Sequence, residues 1–339
     1  RFESIKDLET FERSLDEMAI LLNFRQGALF NKNPFLKDPA RKDFLTALFK
    51  QQLLHTTVFK VNDKIMAAVI AVLRNNWAYL SLICHSPLNA RNNSPGLLHF
   101  QLLTKQLVEE GVQYIDLSPG YDPYKDKMAT QQDEVQELII SNAPGFRIKR
   151  QCRKWLHARM VARGIRPMTA ELTIKKYRYN LKQWRPMPAI KKLAKKLRKQ
   201  ETQQRYVIDK RTLEASATIP WQRNSLANLL EFNSDKKVGL SRWKFLSDAM
   251  NRLEKGQHCF TWPGDDRLLC CIWLSVGEEA ITIENCYCHA SAKEWLPAFL
   301  KNMVIALADN KEGCTIQLVA ADRRICKALK VAGFQPAIN

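Results

Sequence analysis

One order of patterns (helix, three strands, loop, helix, Gly, strand) occurs twice in this chain, and that repetition limits the available folds more than any other feature. In the first round Leu8, Phe11, Leu15, Ala19 and Leu22 fall on one face of a helix over 5–24. Asp38-Pro39 has the form of a helix start, predicting a second helix to about residue 54. Strands are predicted at 56–61, 65–73 and 77–84, with Asn62-Asp63-Lys64 and Asn75-Asn76 as turns. A loop then opens helix 96–110, closed by Gly111, before strand 113–117 and a last strand at 135–141. In the second round Ser241 caps a helix to 255, followed by strands 257–262, 267–276 and 279–288. Helix 292–309, Gly313, strand 314–319 and helix 322–332 complete it. Two copies of one mixed α/β fold are expected, and 339 residues accommodate them.

The loop of the first round, Arg91-Asn92-Asn93-Ser94-Pro95-Gly96-Leu97, is where chemistry is expected. Small residues feeding a helix N-terminus offer backbone N–H groups and the positive end of the helix dipole, which suit a phosphate or pyrophosphate. The same residues also make an ordinary capped helix, with Ser94 as N-cap and Pro95 in its first position. In the second round the corresponding loop, 289–294, has no Gly, and close backbone approach to a pyrophosphate is harder there.

Three pieces follow one another in the first round: Ser94-Pro95-Gly96, then Asp116-Leu117-Ser118-Pro119-Gly120, then Tyr124-Lys125. Over roughly residues 1–140 this set resembles the GNAT-type acyltransferases, and within them the branch associated with cellulose and other exopolysaccharide synthesis. In that family an Arg/Gln-x-x-Gly-x-Gly/Ala loop wraps the pyrophosphate of acetyl-CoA. Arg91, Ser94 and Gly96 stand at its marked positions, with Ser94 where Gly is usual.

The resemblance implies tandem GNAT-like folds and acyl transfer from acetyl-CoA or another acyl-CoA. The divisions are a catalytic domain at 1–145, a basic helical connector at 146–211 and a second domain at 212–339 without the pyrophosphate loop. Residues 91–97 would hold the donor. Asp116 and Asp122 would attract or deprotonate the amine, while Tyr124 and Lys125 would serve the leaving thiolate or the oxyanion. Each has a plainer role as well: Asp116 bonding the turn that follows, Asp122 a solvated turn residue, Tyr124 a core aromatic. His85, just after a strand, is a base or a hydrogen-bonded loop histidine. The acceptor implied is an amino group on a small-molecule or lipid-linked saccharide, such as a cell-envelope or exopolysaccharide precursor.

Charge is concentrated. Residues 147–211 carry 22 of the 53 Lys and Arg but 3 of the 34 Asp and Glu, an excess of 19 that equals the net charge of the whole chain. Helices are predicted there at 147–163, 168–183 and 189–203. The segment would pack between domains or touch an anionic membrane face, with nucleic acid a weaker candidate because no groove-reading or stacking motif accompanies it. The alternative reading of the chain is accordingly a non-enzymatic or aminoacyl-tRNA-linked binding protein using this segment. Nine cysteines, an odd number, fall mostly in strand-like settings without Cys-x-x-Cys spacing, so free thiols and no metal are expected. No apolar run reaches the ~18 residues of a membrane span, and a cytoplasmic enzyme, peripheral to the inner membrane face if attached at all, is expected.

Overall fold

The computed structural model describes residues 1–88, 90–119, 123–133, 138, 140–165, 167–182, 204–209, 219–233, 240–276, 280–308, 315–320 and 322–337. Asp122, the helix expected at 189–203 and most of the strand expected at 135–141 lie outside them. The chain divides into two compact units, one of Arg1–Gln113 with Arg198–Asn339, the other Tyr114–Leu197.

The first unit opens with a strand that pattern reading missed, β1 (Phe2–Ile5). Helix α1 (Leu8–Phe30) follows, started by Asp7, whose carboxylate accepts from Thr10 N at 2.8 Å. It runs past the expected end at 24 to Asn31, which takes a left-handed conformation and turns its N–H onto the Gly27 carbonyl. Two further helices, α2 (Pro34–Lys37) and α3 (Ala40–Lys50), lead to strands β2 (Leu54–Val61), β3 (Lys64–Arg74) and β4 (Trp77–His85). These pair antiparallel in the order β1-β2-β3-β4. Asn62 and Asp63 both have positive φ, as a tight hairpin turn requires. A helical turn, α4 (Ala90–Asn93), and helix α5 (Pro95–Glu109) end this part, and Gly111 at φ 81° reverses the chain.

The second unit contains β5 (Tyr114–Asp116), α6 (Pro123–Met128), α7 (Pro144–Ala162) and α8 (Pro167–Lys182). Gly164 turns α7 into α8, and Glu171 ties the two by accepting from Arg153 and contacting His157 Nε2 at 2.8 Å.

The first unit resumes with β6 (Gln204–Asp209), inside the stretch read as connector. There follow β7 (Gln222–Arg223), α9 (Leu226–Leu230), α10 (Arg242–Glu254), β8 (His258–Pro263), β9 (Leu268–Val276) and β10 (Ile281–Cys288). A 3-10 turn (Ala290–Trp295), α11 (Leu296–Ala308), β11 (Thr315–Ala320), α12 (Arg323–Val331) and β12 (Gln335–Pro336) close the chain. This second sheet has the order β12-β6-β11-β10-β9-β8-β7, with only β10 and β11 parallel. Tyr206 and Ile208 point inward from β6, which explains why a strand forms amid charged sequence.

Alternation sorts the core into layers. On β9, Cys271 and Trp273 face one way and Cys270, Ile272 and Leu274 the other. The first set joins a core shared by both sheets, built from α1 and α3 on one side and α9 and α10 on the other. The second packs under α11 and α12. The outer face of the first sheet is covered by α5, through His99, Leu103 and Leu107. Helices α1 and α10, each preceding its own three-strand meander, thus pack on one another. Gly27 permits the approach: a Cβ there would lie 3.0 Å from Leu246 Cδ1 and 3.1 Å from Asn33 Oδ1. Trp243 Nε1 donates to the Ala28 carbonyl at 3.0 Å, and Arg242 reaches Asn33 Oδ1 and the Leu230 carbonyl.

Candidate active site

Strand β4 is irregular where it matters. Leu80 pairs with Ala71 and Leu82 with Ile70, which leaves Ser81 as an extra residue, a β-bulge. Bulges interrupt a ladder and turn a strand's backbone groups away from pairing, and they recur beside active sites. Pattern reading gave this strand but not its bulge, because Ser81 sits in an alternation that continues unbroken as sequence.

Beyond β4 the chain turns at Ser86, whose N–H reaches the Met66 carbonyl at 2.7 Å, and enters α4 and α5. Ser94 stands at the N-cap of α5 with Pro95 opening the helix, yet its side chain makes no capping bond. Its backbone is left-handed, at φ 39° and ψ 57°, a region that favours glycine. The position keeps a glycine-like shape with a serine in it. We therefore expect Ser94→Gly to stabilise the protein by roughly 0.5–1 kcal/mol, the strain relieved outweighing the added freedom of the unfolded chain. Thermal unfolding checks this, and a lower melting temperature would mean the Ser94 hydroxyl contributes more than the strain costs.

Gly96 follows the helical path, and its absent side chain is filled by His85. A Cβ would lie 3.2 Å from His85 Cδ2. The His85 Nδ1 is 3.2 Å from the Ser86 carbonyl, which only accepts, so Nδ1 carries the hydrogen and Nε2 the lone pair. Burial, and then the Arg25 charge, push its pKa down to about 4 against the opposing Ser86 contact, so the ring is neutral at pH 7. Of the expected donor-binding residues, Arg91, Asn92, Asn93, Ser94 and Leu97 are exposed and Pro95 is buried. The Arg91 guanidinium donates to Asn251 Oδ1 on α10 at 3.4 Å. The Leu97 N–H is turned onto the Ser94 carbonyl at 2.9 Å.

In the second unit Asp116 and Lys125 converge on one turn. Asp116 Oδ1 accepts from Ser118 N at 2.7 Å, and Lys125 Nζ donates to the Ser118 carbonyl at 2.8 Å. Ser118 has φ 65°. Asp116 thus performs at least the plainer of its two expected roles. Tyr124 lies on α6 beside Lys125, and its side chain is outside the described set.

On the other face of β4, a cleft of about 570 Å³ runs between the end of α1, α2 and the bulge, lined by Gln26, Asn33, Ser81 and Ile83 among others. In the second half, the loop after β10 forms the 3-10 turn, with His289 Nδ1 accepting from Ser291 N at 3.3 Å and no glycine. Among the described residues no three His, Cys, Asp or Glu gather as a metal site. No described helix is long and apolar enough to cross a membrane.

Residues 1–126 match the model of an acetyltransferase (GNAT) domain. No curated protein matches the chain. Among solved structures, an aminoglycoside acetyltransferase from an uncultured soil metagenomic sample is 15% identical, covering 42% of this chain and 96% of its own, at TM-score 0.32. A predicted acetyltransferase with acetyl-CoA from Clostridium acetobutylicum is 16% identical, covering 41% and 95%, at TM-score 0.33. A probable N-acyltransferase from Enterococcus faecalis V583 is 11% identical, covering 94% of this chain and 65% of its own, at TM-score 0.28. The family match takes in less than half of the 339 residues, and it marks the N-terminal part of the chain as similar to acetyltransferases of the GNAT type. Acyl-CoA-dependent acetyl transfer is the activity of that class.

Proposed function

We propose that this chain transfers an acetyl group from acetyl-CoA to an amino group of a saccharide, within the making of a cell-envelope or exopolysaccharide precursor. The observation that supports the donor assignment most directly is the left-handed Ser94 at the helix start that follows a bulged strand. Residues 91–97 hold the pyrophosphate there, and the bulge at Ser81 leaves backbone groups for the pantetheine arm. The catalytic half is the N-terminal one. The second half, with no glycine in its loop, acts as a wall: Arg242 and Trp243 hold the α1–α2 turn that lines the cleft.

In the reaction the acceptor nitrogen attacks the thioester carbonyl. A C–N bond forms, the C–S bond breaks, the amine proton leaves to a base and the thiolate is protonated to free CoA. Asp116 is assigned to the amine and Lys125 to the developing negative charge, each from the turn they share. Asp122 and Tyr124 remain in the proposed set through the family pattern alone. A lipid-linked acceptor, contact of the basic segment with an anionic membrane and a cytoplasmic location complete the reading.

Lys125→Ala and Asp116→Asn are expected to lower turnover by on the order of 10²–10³-fold with donor affinity little changed. Stopped assays of thiol release beside calorimetric titration with acetyl-CoA separate the two quantities. Near-normal turnover in both variants would remove this turn from the chemistry.

A further inference from the structure

The cleft beside the β4 bulge has a strongly one-sided charge. Lys32, Lys37 and Arg41 line it together with Gln26 and Asn33, and no Asp or Glu does. Among the described residues, none of the three cations has a carboxylate partner. The neighbouring Lys42, by contrast, is paired with Asp16. Three cations brought to one concavity repel one another and are retained at a cost unless an anion joins them.

The wall that carries them is fixed in advance. The Lys32 N–H is bonded to the Gln26 carbonyl at 3.1 Å, behind the left-handed Asn31. Buried Asn23 accepts from Phe35 N at 3.0 Å and so joins α1 to α2. Arg242 holds Asn33 from the second half, at 3.3 Å. The Arg41 guanidinium lies 5.2 Å from the centroid of the Phe35 ring, which steers it without neutralising it. A site whose donors are set before the ligand arrives loses less entropy on binding.

Resting on the N-acyltransferase reading above, we propose that this cleft binds a phosphate or carboxylate of the acceptor, so that the substrate is an acidic amino compound rather than a neutral or polycationic amine. Two features fit the acceptor here and the donor's pyrophosphate elsewhere. The cleft is on the α1 face of the first sheet, whereas α5, which begins at Ser94-Pro95-Gly96, packs on the opposite face. Ser81, the bulged residue whose backbone was assigned to the pantetheine arm, borders the cleft directly, so the acyl end of the donor would meet the acceptor there. The arrangement also helps the chemistry, because nearby positive charge disfavours the ammonium form and leaves the amine as a nucleophile.

The test uses the full chain with CoA present and matched amines that differ in one anionic group. Glucosamine is compared with glucosamine 6-phosphate, and ethanolamine with phosphoethanolamine. A uronic-acid amino sugar distinguishes carboxylate from phosphate, and spermidine serves as the polycation. Calorimetry is expected to give about tenfold or tighter binding for the anionic member of each pair, as charge-assisted bonds of this kind provide. The triple variant Lys32→Gln, Lys37→Gln, Arg41→Gln is expected to abolish that preference and to keep the affinity for acetyl-CoA. Equal affinity within the pairs, including no binding by either member, would overturn the proposal. A parallel loss of acetyl-CoA affinity in the triple variant would also overturn it, since the cleft would then be holding the donor's phosphates. Failure of the unaltered chain to bind acetyl-CoA would instead overturn the acyltransferase reading itself.

Discussion

Trp243→Ala is expected to destabilise the first unit by about 3–5 kcal/mol, the cost of removing a large buried aromatic. The side chain is 3% exposed, and its indole donates to the Ala28 carbonyl near the end of α1. The substitution opens a cavity in the core that both sheets share and leaves that carbonyl without the indole donor. For a protein of this size the loss corresponds to a fall in melting temperature on the order of 10 °C. Because the core is continuous through α1 and α10, both sheets are expected to go in one transition. Trp243→Phe keeps most of the packing and is expected to lose only about 1 kcal/mol with the hydrogen bond. Scanning calorimetry checks both. Two separate transitions, or a shift of a degree or less for Trp243→Ala, would show that the halves do not depend on one another.

The second large effect is a loss of stability in mild acid. His85 and His99 both have pKa values pushed down to about 4, chiefly by burial. His99 is 0% exposed, packs edge-on to Phe2 and places Nε2 2.8 Å from Thr57 Oγ1. Its Nδ1 has no hydrogen-bond partner, and the nearby Ala67 backbone offsets only part of the burial. Both rings are held neutral in the fold, while in the unfolded chain they accept a proton below about pH 6.5. Between pH 6.5 and 4 the unfolded state therefore binds more protons, so stability is fully present above that window and falls as the pH drops through it. The expected size is on the order of 3 kcal/mol per histidine across the whole window. His99→Gln removes one titrating group while keeping a polar partner for Thr57, and is expected to reduce the slope by about half. Urea denaturation at stepped pH gives that slope; a flat profile in the unaltered protein would mean that these rings are reached by water.

The strands and long helices were legible because their signals are local and periodic. Every strand of the two meanders falls within a few residues of its expected position, since alternation reports directly on which face is buried. Helix α2 was missed although Asn33-Pro34 carries the same cap-plus-Pro signal that placed α3, and the strand β6 was hidden because only Tyr206 and Ile208 are deeply buried in a charged stretch. The site was legible only as motif. Ser94, Gly96, Asp116 and Lys125 could be picked from sequence, yet the reasons for their positions are spatial. The His85 ring fills the space over Gly96, Asn251 from far along the chain receives Arg91, and the Ser81 bulge appears only in the pairing with β3. The basic cleft needs α1, α2, α3 and β4 folded together before Lys32, Lys37 and Arg41 share a wall.

The measurement that bears most directly on the central claim is titration of the full chain and of Gly96→Val with acetyl-CoA. Valine at this position drives its side chain into the His85 ring and displaces the start of α5, while the strands of the sheet keep their pairing. The expected result is saturable binding of one acetyl-CoA by the unaltered protein and loss of that binding in Gly96→Val, with far-ultraviolet circular dichroism unchanged. Equal affinity in the two proteins, or no binding in either, would contradict the account.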